Sequence, residues 1–443
     1  MTYQDFLVTP IYLLIIYLLA YLVRGKVSDK NTGPYFIPAL TLKIIGAISV
    51  GLIYQFYYNG GDTFNYFHDS KYIWEAFKDS PVKAFQLIFS DGTFNPDIFQ
   101  YSTKMYFFGD LPSYFVVRIA GFFDLLTFHT YSATALLFAC FSFGGLWAMY
   151  LSFYKFYSKL HKEFAIAIFF IPSVFFWGSG ILKDTLTLGA LGWAFYAVVH
   201  LFFVRRKFVL SAIILVVSCW IIYSIKIYIL LCFLPAVTIW VFLAQLPKIK
   251  STFLKVTMLP LVLTIAALLS YWLVIEIGEE NNRYNLETLA YTAESTARWL
   301  SYVSEIQGGS GYSLGDYDYS TTGIIKKIPA AVNVTLFRPY LTEASNPVMM
   351  LSALESFSML LLTIYVFVRN RKNLNTIWKK PEIIFCLFFS ISFAFAIGFS
   401  TYNFGSLVRY KIPLIPFYLI GLFILNYYSK RRKKFSSFDS TEK

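Results

Sequence analysis

Charge is scarce in this chain. Only 14% of its 443 residues are Asp, Glu, Lys or Arg, against roughly 25% in an ordinary soluble domain. Cysteine and histidine are scarcer still, with four of each. Cys140, Cys219, Cys232 and Cys386 all sit inside apolar stretches, with no close pair at metal-ligand spacing. That pattern argues against both a disulfide framework and a zinc site. No GxGxxG, Walker loop, nucleophile elbow or HExxH occurs, which leaves cytosolic nucleotide chemistry without support. Residues 1–10 carry one Asp and no Lys or Arg. They lack the basic region of a cleaved secretory signal, so the first apolar stretch is expected to be retained.

What is present is apolar. Hydrophobic residues make up 57% of the chain and aromatic residues 20%, and the mean hydropathy is +0.57. The apolar residues come in blocks near 7–23, 36–57, 131–154, 163–180, 185–204, 208–223, 226–245, 253–275, 348–368, 382–399 and 411–428. Each is about as long as a bilayer is thick, which predicts about eleven spans. The expected fold is therefore an all-α polytopic membrane protein, with residues 1–443 forming a single integral membrane domain.

The net charge of +13 would suggest nucleic acid in a soluble protein, but here it is clustered between the blocks. Basic groups at 24–30, 155–162, 205–207, 248–255, 369–380 and 430–434 fall at every second connection. Translocating Lys and Arg is unfavourable, so these connections are read as cytoplasmic. The N-terminus is then outside, and residues 429–443 form a basic cytoplasmic tail. Two long connections, 58–130 and 276–347, become extracytoplasmic loops. Within the first, Tyr72–Phe89 and Tyr114–Phe128 have the apolar spacing of amphipathic helices lying in the membrane interface. The second of these is not taken as a span, because Arg118 and Asp124 interrupt it.

Four polar constellations sit at the ends of the blocks, where ionisable groups need a reason. The first runs from Asn59 through Gly60, Gly61 and Asp62 to His68 and Asp69. The glycines permit a sharp turn, and a helix over 62–69 would bring Asp62 and Asp69 to one face two turns apart. The pair suits a divalent cation, Mg or Mn, or Asp62 alone suits a general base. The plainer reading is that Asp62 N-caps the next helix. The second constellation, Pro172 to Asp184, places Lys183 and Asp184 at the boundary, either as a self-compensating ion pair or facing a cavity.

The third constellation centres on Arg338 and Glu343, with Glu355 inside the following block. Arg338 could hold a lipid-linked phosphate bidentately, or could simply snorkel or pair with Glu343. The fourth is the short connection carrying Arg409 and Lys411, which runs against the positive-inside trend. A pyrophosphate or carboxylate ligand would explain it, and so would pairing with the acidic loops. His129, His161 and His200 read as isolated structural residues near block ends.

The segment Gly61-Asp62-Thr63-Phe64-Asn65-Tyr66 resembles the acidic signature of the GT-C superfamily of membrane glycosyltransferases, and Ile171–Tyr196 is similar to that family's later hairpin. The resemblance implies an enzyme acting with undecaprenyl-phosphate-linked sugars at the outer face of the bacterial inner membrane, on a glycan or lipid acceptor of the cell envelope. It implies that Asp62 is the catalytic base or metal contact and Asp184 an auxiliary carboxylate. Lys183, Arg338, Glu343, Arg409 and Lys411 would contact substrate, and no nucleic acid is involved. The stretch 337–355 and the loop 408–411 also look like those of surface-polysaccharide polymerases, whose outward arginines hold lipid pyrophosphates. A polymerase or ligase of lipid-linked repeat units is therefore the alternative. A transporter, which would be expected to show paired broken spans or an inverted repeat, is the second alternative, and a non-catalytic subunit of an envelope assembly the third.

Overall fold

The computed structural model describes residues 3–251, 311–315 and 321–439, with residues 264 and 302. Among the described residues the chain is helical with no strand, and a single isolated bridge joins Gly311 to Asn403. It is an all-α membrane protein. Eight helices are long and apolar enough to cross a membrane, and a bent pair can supply a ninth. The described residues divide into two compact units, Met1–Ile227 and Tyr228–Lys443.

The first unit contains α1 (Tyr3–Val27), α2 (Gly33–Phe56), α3 (Asp62–Asp79), α4 (Pro81–Phe89), α5 (Leu111–Thr127), α6 (Tyr131–Phe156), α7 (His161–Phe169), α8 (Pro172–Trp177), α9 (Lys183–Val199) and α10 (Phe208–Lys226). Of these, α1, α2, α6, α9 (with its extension to Val204) and α10 are span-like. The block at 163–180 is not a continuous span. Pro172 has no N–H to give the preceding turn and pushes Ile171 into an extended conformation (φ −80°, ψ 125°), so the helix breaks into α7 and α8. The block at 253–275 and the acidic part of the second loop lie outside the described residues.

Small residues set the closest helix contact. A Cβ placed on Gly145 of α6 would lie 1.9 Å from the Gly189 carbonyl oxygen of α9, and one on Gly192 would lie 2.2 Å from that of Gly145. Only glycine lets these two backbones touch.

The loop 58–130 carries helices, as expected, and they pack together as a folded helical cap. Ile73, Ala76, Ala84, Leu87, Ile98 and Tyr114 are buried in a core that continues into Ala47 and Phe138 of the membrane helices and Ile181 of the turn before α9. Ser80 and Pro81 divide the expected 72–89 helix in two, because proline fits the first turn of a new helix. α4 buries Ala84, Leu87 and Ile88 and exposes Val82, Phe85 and Phe89. The 114–128 segment folds as α5 and is not among the span-like helices.

The second unit contains α11 (Tyr228–Gln245), α12 (Thr321–Phe337), α13 (Pro347–Asn370), α14 (Pro381–Ser400), α15 (Phe404–Tyr410) and α16 (Leu414–Asp439). α14 packs against α11, α12 and α16. The rings of Trp240, Phe385, Phe389 and Phe417 pack together there, the Trp240 and Phe385 centroids 4.8 Å apart. α15 meets the start of α16 at a 65° bend. Residues 429–439 of the expected tail continue α16.

Candidate functional site

In the first unit, the two glycines before α3 do what the sequence implies. Gly60 and Gly61 both have φ near +124°, a region closed to most side chains, and a Cβ on Gly61 would strike the Tyr54 ring. Gly61, not Asp62, is the N-cap residue. Asp62 is the first residue of α3, half-buried, where the positive end of the helix dipole favours a carboxylate.

Asp69 lies two turns on, and its carboxylate is spent on the cap. It is fully buried. Oδ1 accepts the Tyr106 backbone N–H at 3.1 Å and Oδ2 the Phe107 N–H at 2.8 Å, with His68 Nδ1 3.2 Å from Oδ1. It therefore pins the 104–110 loop to α3. Among the described residues no three His, Cys, Asp or Glu side chains form a group fit to hold a metal ion.

Lys183 and Asp184 each reach a partner distant in sequence. Asp184 accepts a hydrogen bond from Lys226 Nζ at 2.5 Å, and both side chains are buried. Lys183 Nζ lies 3.9 Å from Asp110 Oδ2 in the cap. The turn between α8 and α9 adjoins the end of α2: Trp177 packs edge-on to Tyr54, and a Cβ on Gly180 would meet Val50. Asp62, Lys183 and Asp184 thus belong to the same end of this unit.

Two features escape the sequence reading. Lys43, in the middle of α2, is fully buried. Its ammonium donates to Ser142 Oγ (3.1 Å), Val174 O (3.2 Å) and Gly178 O (2.7 Å). It caps the last turn of α8, whose carbonyls have no helical partner beyond the break. A lone lysine inside an apolar block was the available signal. The second feature is Asp124, also fully buried, which accepts from Ser70 Oγ (2.6 Å) and Thr134 Oγ1 (2.6 Å) and lies 2.7 Å from His129 Nδ1. His129 is therefore not isolated. Its ring also stacks on Phe67 with centroids 4.1 Å apart. His161 pairs with the Tyr35 hydroxyl, and His200 with Lys155.

In the second unit, the third and fourth constellations come together. Arg338 Nε lies 3.0 Å from both Glu343 carboxylate oxygens, and Nη2 also donates to Oε1. The Tyr340 N–H donates to the same carboxylate at 2.7 Å. Burial alone would raise the Glu343 carboxyl, but these bonds outweigh it and hold the group below the usual glutamate range. The guanidinium lies among three rings, with centroids at 5.1 Å (Phe404), 5.7 Å (Tyr340) and 5.9 Å (Tyr312). Electrostatic attraction to the ring faces holds a cation there.

Ser356 links this cluster to Lys411. Its Oγ donates to the Arg338 carbonyl at 3.1 Å and accepts from Lys411 Nζ at 2.9 Å. Lys411 is buried, Glu355 is a charge neighbour of it, and Arg409 lies half-buried in the last turn of α15. Tyr312 is fixed by its hydroxyl on the Gly398 carbonyl (3.0 Å) and by its N–H on that of Tyr402 (3.1 Å). The arrangement is a cluster of cationic and aromatic side chains at the ends of spans, a chemistry suited to an oxyanion.

Compared with protein-family models, with curated proteins and with solved structures, the chain gives no match.

Proposed function

We propose that the chain is a membrane glycosyltransferase of the GT-C type, moving a sugar from a polyprenyl-phosphate-linked donor to a cell-envelope glycan or lipid acceptor at the outer face of the bacterial inner membrane. The observation that carries this reading is the Arg338 cluster. Glu343 engages the Nε and Nη2 side of the guanidinium, which leaves the Nη1 side for the planar two-point contact that phosphate oxygens make. Lys411 and Arg409 add positive charge to the same part of the second unit. In this reading the cap 58–130 is extracytoplasmic and the C-terminal tail cytoplasmic.

The proposed transfer breaks the bond between the anomeric carbon and the phosphate oxygen and forms one from that carbon to an acceptor hydroxyl oxygen. The hydroxyl proton goes to a carboxylate base, the role that the resemblance gives to Asp62, and the polyprenyl phosphate departs as an anion. Asp184, bound to Lys226, keeps the base of α9 in place rather than reacting. No step is routed through a metal, since Asp69 is committed to the cap loop.

The test is transfer from a synthetic polyprenyl-phosphate sugar by the protein in liposomes. Asp62→Asn should lose about 10²-fold or more of the rate while binding the donor normally, and Arg338→Ala should weaken the donor KM. Full activity of Asp62→Asn would remove the reading. The same cationic cluster favours one second reading, a polymerase or ligase of lipid-linked repeat units in which arginines alone hold the pyrophosphate. Repeat-unit joining that survives Asp62→Asn and is lost in Arg409→Ala would select it.

A further inference from the structure

The cap carries a groove that plays no part in the reading above. It has a volume of about 570 Å³ and is lined by the polar residues Ser80, Lys83, Gln86, Asp97 and Gln100 together with the apolar Val82, Pro96 and Phe99. That size falls within the roughly 300–1,000 Å³ of small-molecule sites. One wall is the start of α4, and the other is the single helical turn Pro96–Ile98 with the residues that follow. Both walls are anchored from beneath, because Ala84, Leu87 and Ile98 are fully buried in the cap core. The groove is therefore preformed.

Its chemistry is mixed and close to neutral. Lys83 is already compensated: its ammonium donates to Asp79 Oδ2 at 2.6 Å, and the Tyr101 hydroxyl donates to the same oxygen at 2.9 Å. The amides of Gln86 and Gln100 offer both donors and acceptors, the Ser80 hydroxyl offers both, and Asp97 accepts. Phe99 supplies an exposed ring, braced edge-on by the still more exposed Phe94 at 5.2 Å. One polar atom is left over: Gln86 Oε1 is buried without a hydrogen-bond partner. Such atoms are uncommon and costly, and a ligand donor is one way to satisfy them once the amide turns into the groove.

An anion would want uncompensated cations here, and Lys83 is compensated; an acyl chain would want a continuous apolar lining, whereas Val82, Pro96 and Phe99 are interspersed with five polar residues. We infer that this groove binds a neutral, hydroxyl-rich ligand, a saccharide, with Phe99 under one sugar face and Gln86, Gln100 and Asp97 holding its hydroxyls. The partially positive C–H face of a sugar ring suits the negative face of an aromatic ring, while hydroxyls need the paired donors and acceptors that two amides give. This binding does not depend on the transferase reading.

The experiment is saturation-transfer NMR on the full-length protein in detergent micelles, with maltotriose, cellotriose and triacetylchitotriose as probes and inorganic phosphate and a short-chain alkyl alcohol as controls. At least one trisaccharide should bind, with the strongest saturation on protons of one ring face. Phe99→Ala and Gln100→Ala, both exposed positions, should each weaken it about tenfold or more. The thermal stability of the two variants should match that of the parent, which separates lost binding from lost folding. Absence of saturation transfer to all three trisaccharides at about 10 mM, or unchanged affinity in both variants, would overturn the inference. So would binding of phosphate or the alcohol alone. Because the probes are not lipid-linked, an inactive transferase that still binds them, or an active one that does not, tells the two proposals apart.

Discussion

Asp184 at the start of α9 is joined to Lys226 at the end of α10 by a 2.5 Å ion pair, with the two side chains only 1% and 8% exposed. The link closes the end of the helical hairpin that α9 and α10 form. A buried pair owes little net stability to its mutual attraction, because both ions had to leave water. Losing one member is another matter, since the survivor keeps its desolvation cost and loses its compensation. Asp184→Asn and Lys226→Met are each expected to destabilise the protein by about 3–5 kcal/mol, and the double variant by clearly less. Thermal unfolding of the four proteins in one detergent checks this. If the double variant is as unstable as the sum of the singles, the pair is not coupled.

The membrane helices were largely legible, because apolar blocks of bilayer length have few other uses. The block at 163–180 was misread for a local reason: its composition is that of a span, but Pro172 breaks the hydrogen-bond ladder, and composition counts ignore one missing N–H. At the sites, residue types were legible and partners were not. Asp184 and Lys183 are adjacent in sequence, yet Asp184 reaches Lys226, 42 positions along, and Lys183 reaches Asp110 in the cap. Arg338 with Glu343 was readable at a spacing of five, whereas Tyr312 and Phe404 reach Arg338 only through folding. Lys43 shows the same limit, since its acceptors come from α6 (Ser142) and from the last turn of α8 (Val174 and Gly178), which only folding brings to it.

The approach of α6 to α9 should tolerate no side chain at Gly145. A methyl group there would lie on the Gly189 carbonyl, and backbone cannot move aside as a flexible side chain can. Gly145→Ala is expected to cost about 1–3 kcal/mol through forced separation of the helices. Gly144 next to it is the control, since a Cβ there finds its nearest neighbour, the Trp193 ring, at 3.5 Å, an ordinary contact. Gly144→Ala should be close to neutral. Equal unfolding temperatures for the two variants would refute the close approach.

Glu343 predicts a pH signature for the Arg338 cluster. Its carboxyl is held below the ordinary value of 4.5. A depressed acid contributes its stability in full above its unfolded value and loses it as pH falls through the folded one. The second unit should therefore weaken as pH drops below 4.5, and Glu343→Gln should remove that dependence while lowering stability at neutral pH. Because the pair is partly solvated, the neutral-pH loss is expected to be only about 1 kcal/mol. Thermal unfolding of parent and variant across pH 7 to about pH 3 reads both parts. Parallel curves would show that Glu343 is not the group responsible.

Asp69 makes the sharpest distinction between a structural and a metal-binding carboxylate. Each of its oxygens receives a backbone N–H from the 104–110 loop, at 3.1 and 2.8 Å. Asparagine keeps the shape but offers only one acceptor, and its NH₂ would face a second donor. Asp69→Asn is thus expected to leave one buried N–H unsatisfied and to cost about 1–3 kcal/mol, concentrated in this loop. Limited proteolysis should find new cleavage near Tyr106 and Phe107 in the variant, and added Mg or Mn should protect neither protein. Protection of the parent but not the variant by either ion would mean that the carboxylate serves a cation, and the assignment of Asp69 to the loop alone would have to be given up.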